Sequence, residues 1–359
     1  MRPLTHALLL LPLLLLLLPV LPAAAEEPAP IPGVSTRTVA FPGAAKRNQT
    51  LFAHAGKLYA FGGTKSLDPR DFDPKNFCDE GHVIDLVNGK VAALKKPPVP
   101  MLRGNTVTAG RFGYAVGGQT HDGTKMVLSD AVWRYNFDKD EWFKLDAKLP
   151  SARTLFGVAE HAGVIWVFGG WVSDPTVKGP KGPGLRVTDQ IVTIDVTKPT
   201  PVVTVRAEKM TTGRRSYPFA VGGGKFFVCG GLDDGFAYVK SAQVYDFVSN
   251  KWADFPPPID ARAMAEMVAI GGRLILAGGF STGPAGAPKP NPFAENKSLE
   301  IYDPAGKRWR KSVPALPATV GGSALNLFAH DGMAVVWGID QGKPSTAYLT
   351  TIDPAKLPK

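Results

Sequence analysis

Six times along this 359-residue chain a short apolar run ends in glycine, and each time an Ile-Asp or Tyr-Asp pair follows at a nearly regular distance. The endings are Phe61-Gly62-Gly63, Val116-Gly117-Gly118, Phe168-Gly169-Gly170, Cys229-Gly230-Gly231, Ala277-Gly278-Gly279 and a degenerate Trp337-Gly338. The pairs are Ile84-Asp85, Tyr135-Asn136 (the amide variant), Ile194-Asp195, Tyr245-Asp246, Tyr302-Asp303 and Ile352-Asp353. A unit that recurs about every 50 residues cannot bury its apolar face alone. It must stack on its neighbours, as in a propeller or a solenoid.

Each unit reads as four strands. The first follows an arginine, the second ends in the glycines, the third ends in the Ile/Tyr-Asp pair, and the fourth carries the next aromatic. The second strands, such as Val164-Ile-Trp-Val-Phe168 and Leu274-Ile-Leu-Ala277, do not alternate apolar with polar residues. A strand apolar on both faces is buried on both faces, which fits an inner propeller strand between neighbouring blades. The glycines allow positive φ and close backbone approach where the chain leaves the crowded axis. In Tyr135–Trp142, Tyr245–Trp252 and Tyr302–Trp309 the aromatics stand seven residues apart with turn-forming residues between them. This predicts a hairpin between the third and fourth strands, with the Asp accepting hydrogen bonds from the turn's own amides and the Trp packed between blades.

The double glycine, the Tyr-Asp pair and the Trp seven residues later resemble kelch repeats over about residues 34–359. Repeats two, four and five match well; one and three lack the aromatic pair, and the sixth lacks the second glycine. The resemblance implies an all-β fold, a six-bladed kelch β-propeller. Kelch domains serve enzymes, adaptors and carbohydrate binders alike, so it implies little about activity. The sixth repeat supplies three strands before the chain ends, and Val34–Phe41 stands where a fourth strand stands in other repeats. The N-terminal strand is therefore expected to close the last blade and remove an open edge.

Residues 1–25 read as a cleaved signal peptide: Arg2, a leucine run from Leu8 to Leu18, and Ala23-Ala24-Ala25. The apolar stretch is shorter than the roughly 20 residues of a spanning helix. Residues 26–33 form a proline-rich leader, and 34–359 form the propeller. The mature protein is expected to be secreted or periplasmic and a monomer, with no membrane span. Cys78 and Cys229 fall in blades one and four, across the ring from each other, so two unpaired thiols are expected rather than a bridge. The net charge of +10 attracts anions. No Lys/Arg block marks a nucleic-acid tail, so nucleic acid is not expected as a partner.

Two features converge on the face where the chain enters each blade. The first is arginine: Arg47, Arg103, Arg153, Arg214 with Arg215, and Arg262, with Thr319-Val320 at the sixth position. Guanidinium recognises carboxylate, sulfate and phosphate in two-pronged fashion, so these residues are expected around one pore mouth. The alternative is that they belong to the repeat and pair within it. The second is loop length. From first glycine to Ile/Tyr the gaps are 22, 18, 25, 15, 24 and 14 residues, giving long loops at Thr64–Gly81, Trp171–Arg186 and Phe280–Asn296. Binding residues concentrate on such loops. Trp171 and Phe280 open two of them and could stack on a ligand or cap the blades; Gln119 lies on a shorter loop of this face.

No metal or cofactor is expected. Asp68, Asp71 and Asp73 miss the calcium-loop spacing. His54, His161 and His330 are echoes of one hairpin on the opposite face, and only His82 and His121 could approach each other. The Tyr, His and Cys set of galactose-oxidase-type propellers is missing, and no Ser/His/Asp arrangement, Walker loop or zinc spacing is found. Glu266, expected inside the inner strand of blade five just after Arg262, is the one candidate acid/base; an ion pair with the arginines is its structural alternative, and Glu160 holds a comparable place in blade three. The function expected is an exported binding module for an anionic ligand: an acidic glycan, a small carboxylate or an acidic peptide. Exported kelch propellers include sialic-acid mutarotases, to which this chain is similar in repeat type, so an acidic-sugar mutarotase with Glu266 as acid or base is the alternative. A structural adaptor in an envelope complex is the third reading.

Overall fold

The computed structural model describes residues 32–43, 46–66, 68, 71–103, 105–179, 182–282, 293–314, 320–340, 343 and 345–357. Residues 1–25, Thr319 and most of the loop after Phe280 lie outside these. Among the described residues there are six four-stranded antiparallel sheets and no α-helix, only one short 3-10 turn at Pro74–Asn76. No helix among them is long and apolar enough to cross a membrane.

The sheets follow one another in sequence as blades. Their first strands are Thr50–His54, Asn105–Ala109, Gly157–His161, Phe219–Gly222, Glu266–Ile270 and Val320–His330. These first strands touch those of neighbouring blades and lie nearest the axis. The glycine-terminated second strands, expected as inner strands between neighbouring blades, are second in each blade and paired on both sides. In blade five, Glu266–Ile270 pairs with Arg273–Ala277, which pairs in turn with Ser298–Asp303. That two-sided pairing explains why the second strands carry no polar alternation. The N-terminal strand Val34–Ala40 pairs with Thr346–Ile352 along its whole length, from Val34 opposite Ile352 to Ala40 opposite Thr346. It is the fourth strand of the last blade, as expected.

The apolar core lies between blades rather than within any one of them. Phe168 of blade three stacks on Phe226 of blade four, with ring centres 4.1 Å apart. Tyr245 and Trp252 join the same cluster. Offset aromatic pairs of this kind add about 0.5–1.5 kcal/mol beyond their buried area. The repeated Asp behaves as its position predicted. Asp246 accepts from the amides of Val248 and Ser249 at 3.0 and 2.9 Å, Asn136 from Asp138 at 3.0 Å, and Asp353 from Ala355 at 2.9 Å. Cys78 and Cys229 are both buried and unpaired; burial raises the thiol pKa of Cys78 and lifts that of Cys229 to about 12.

Both glycines of each pair adopt positive φ, for example 61° at Gly230 and 86° at Gly231. A Cβ on Gly231 would lie 2.7 Å from Tyr217 Cβ and 2.8 Å from the Arg215 carbonyl oxygen. The Gly231 amide donates to the Arg262 carbonyl of the next blade at 2.7 Å; Gly63, Gly118 and Gly170 repeat that bond to Met101, Arg153 and Arg214. The double glycine thus joins each blade to the approach of the next, where no side chain fits.

Candidate functional site

The arginines do not form one ring. They occupy three successive positions, distinguished by their distance to the first glycine of their own blade. Arg153, Arg214 and Arg262 stand sixteen residues before it. All three are fully buried and donate to that glycine's carbonyl, at 3.3, 3.1 and 3.1 Å. Their other nitrogen reaches the third strand. Arg153 donates to Gln190 at 2.7 Å, Arg214 to Ser241 Oγ at 2.7 Å, and Arg262 to Ser298 Oγ at 2.9 Å and Glu300 at 2.6 Å. Burial lowers the pKa of Arg153 to about 10 and also lowers that of Arg214. These guanidinium groups tie the glycine turn to the strand beyond it and are turned away from a shared opening. In blade one the same place holds Lys46, buried and ion-paired with Glu80; in blade two it holds Met101.

Arg47 and Arg215 come one residue later, where the backbone bridges to Thr64 and Leu232. Arg47 is buried near Glu295 and Asp68, whose charges offset part of the pKa lowering that burial causes. Arg215 is buried between two aromatic faces, 4.4 Å from the Trp171 ring centre and 4.3 Å from that of Phe236. Trp171 is therefore engaged by a cation of the neighbouring blade. Phe280 packs edge-on to Phe293, 6.3 Å away. Gln119 is buried and bridges to Leu102, and its Oε1 has no partner.

The third position is the one that faces the axis. Asn48, Arg103, Leu155, Ser216 and Met264 stand fourteen residues before the first glycine of their blades and share a left-handed backbone, with φ between 52° and 58°. A single left-handed residue costs about 1–2 kcal/mol when it is not glycine. Backbone hydrogen bonds between blades hold it here: Arg103 N donates to Asn48 O at 2.9 Å, Ser216 N to Leu155 O at 2.9 Å, and Met264 N to Ser216 O at 2.7 Å.

All five residues line one cavity of about 150 Å³ at this end of the axis. Gln49, Asn105, Glu266 and Asn326 form its inner wall and border a second cavity of about 310 Å³ deeper along the axis. Several polar groups on the wall are unmatched. Arg103 makes no side-chain hydrogen bond or ion pair to any described residue, and neither does Glu266; Gln49 Nε2 and Ser216 Oγ are buried without partners. Burial, and then the charge of Arg47, lower the Arg103 pKa to about 10, so it stays cationic at neutral pH. Burial alone lifts the Glu266 carboxyl to about 8, since no cation sits beside it. Of the arginines expected at the mouth, the structure brings Arg103 together with Glu266 in this cavity.

Other candidates lie elsewhere. Glu160 accepts from the amide of Gly163 at 2.7 Å, closing its own hairpin. His82 packs on Phe41 and His121 on Phe77. Asp71 and Asp73 are held in local turns, and no group of three metal-ligating side chains occurs among the described residues. Asn48, Gln49, Asn105, Ser216 and Asn326 were not anticipated. The constant fourteen-residue offset to the glycines was the signal that could have found the first ring of them.

Residues 213–259, which span blade four, match the Kelch motif. Kelch-like protein 40 of Xenopus laevis is 28% identical over 172 residues, covering 47% of this chain and 25% of that protein. Alpha-scruin of Limulus polyphemus is 28% identical over 177 residues, covering 47% and 18%. Leucine-zipper-like transcriptional regulator 1 of Pongo abelii is 23% identical over 307 residues, covering 79% and 33%. The chain thus spans a third or less of the length of these relatives. The solved structure of YjhT superposes with a TM-score of 0.68 over 88% of this chain and 95% of that one, at 15% identity, a likeness of fold. Superposition and the six sheets agree on the fold: this chain is a β-propeller that carries a Kelch motif in its fourth blade.

Proposed function

We propose that this propeller is an exported binding module that takes a small anionic ligand, a carboxylate-bearing molecule or the acidic end of a glycan or peptide, in the axial cavity. The observation that carries this is Arg103, a cation that lines a polar cavity and has no side-chain partner among the described residues. A guanidinium partly withdrawn from water without a counter-charge is costly, and an entering carboxylate would relieve that cost. Unpartnered Gln49 and Ser216 add neutral hydrogen-bonding groups. The rigid ring holds them in place before binding, which limits the entropy lost. The basic start and leucine run of residues 1–25 support export.

The test is calorimetric titration with a panel of small carboxylic acids and acidic sugars. Arg103→Gln is expected to lose at least tenfold in affinity while melting with the wild type. Equal affinity in the two proteins would remove the cavity from consideration.

A second reading, an acidic-sugar mutarotase, is favoured by Glu266. A carboxyl with a pKa of about 8 in the same cavity as Arg103 could pass a proton to and from a ring oxygen at neutral pH. Exchange between anomers of acidic sugars, followed by NMR, is expected to be accelerated by the wild type and not by Glu266→Gln. Equal acceleration by both would exclude this role.

A further inference from the structure

Resting on the cavity reading above, we infer that the axial cavity is built for a zwitterion, a small molecule with a carboxylate at one end and an ammonium group at the other. Arg103 would hold the carboxylate and Glu266 the ammonium.

The argument starts from what the two residues lack. Both line the same cavity of about 150 Å³, yet they bond neither to each other nor to any other described side chain. Arg103 precedes the first strand of blade two and Glu266 begins that of blade five. In a ring of six sheets those blades stand opposite, so the cation and the carboxyl face each other across the axis. Buried charges are normally paired within the protein, as Arg262 and Glu300 are at 2.6 Å. Here a cation and an ionisable carboxyl line one space without meeting, and an ammonium group entering beside Glu266 would favour its ionised form. Simple anions satisfy only one wall and leave Glu266 without a partner. A zwitterion satisfies both, and its central carbons meet Leu155, Phe156 and Met264 on the remaining wall. Besides these two residues, Tyr217 is the one other titratable side chain among the described residues that line the cavity. Its hydroxyl already accepts from Gly157 N at 2.6 Å and donates to the Phe168 carbonyl, so it does not compete for the ammonium.

A molecular ruler tests the inference. Wild-type protein is titrated calorimetrically with glycine, β-alanine, 4-aminobutyrate and 6-aminohexanoate, and with the alkanoates of the same carbon number. At one chain length the amino acid is expected to bind at least tenfold more tightly than its alkanoate. Glu266→Gln should erase that advantage while leaving alkanoate affinity within twofold, and Arg103→Gln should weaken both series. Thermal melting confirms that each variant is folded; if Glu266→Gln does not fold, Glu266→Ala is titrated in its place. The inference is overturned if alkanoates match the amino acids at every length, if the advantage survives in the Glu266 variant, or if no amino acid binds. Carboxylate binding without any amino preference would sink this inference alone. A complete lack of binding here and in the acid panel would sink the anion cavity as well.

Discussion

Arg262→Met should destabilise the protein severely, although Arg262 looks from the sequence like one more ligand-binding arginine. In the structure Arg262 and Glu300 are both fully buried and 2.6 Å apart. Arg262 also donates to the carbonyls of Gly278 and Ser298 at 3.1 and 2.9 Å. Removing the cation leaves the Glu300 carboxylate with the amides of Ile259 and Asp260, at 2.6 and 3.2 Å, and no counter-charge. Breaking a buried pair from one side costs about 3–5 kcal/mol. Glu300→Gln in the same protein removes the stranded charge, so the double variant should recover about 1–3 kcal/mol of that loss. Arg103→Gln, by contrast, breaks no side-chain hydrogen bond to a described residue and removes an unpaired cation, so it should not fall more than about 0.5 kcal/mol below wild type. The assay is urea unfolding followed by tryptophan fluorescence, with slopes compared so that a change in midpoint reports stability. If Arg262→Met lies within 1 kcal/mol of wild type, or Arg103→Gln is the more damaging change, the division of the arginines into clamps and a free cation is wrong.

Three further outcomes are expected. Gly231→Ala, at φ 86° with the Arg215 carbonyl 2.8 Å from the new Cβ, should cost at least about 1 kcal/mol more than Gly223→Ala, at φ 58° with nothing within 4 Å; equal urea midpoints would contradict the close-approach account. Deleting residues 34–41 should lower the midpoint and reduce soluble yield, because the last blade then ends in an unpaired edge; an unchanged midpoint would show that the closing strand is dispensable. Glu266 has a folded pKa of about 8, above the unfolded value of about 4.3, so the folded state holds its proton more tightly. Its contribution is whole below the unfolded pKa and is lost as pH rises from there towards 8. The wild type should therefore lose stability relative to Glu266→Gln between pH 5 and 8, and a constant difference would contradict that shift.

Much of the fold was legible because the repeat is periodic and its punctuation is physical. Glycines with positive φ, Asp residues that cap their own turns and aromatics seven residues apart each have one structural use, and each was found in it. The closing strand was legible for the same reason, since the sixth unit was one strand short. The site was harder to read. Arg103, Arg215 and Arg262 look equivalent near the start of their units, yet they differ by one residue each in distance to the glycine. In an irregular segment that includes a left-handed residue, one step changes whether a side chain enters the blade, the seam between loops or the axis. Composition carries no trace of that. Asn48 and Ser216 were passed over because each is unremarkable alone; only their common column marks them as the mouth.

The pairing of Val34–Ala40 with Thr346–Ile352 joins segments separated by more than 300 residues. During synthesis the first strand emerges long before its partner exists, so it must wait, exposed, while five blades form behind it. This pairing cannot form until the last strand has been made. It also sets Val34 beside Ile352, so a chain joined between these two positions and re-cut at another hairpin would keep the axial chamber undisturbed.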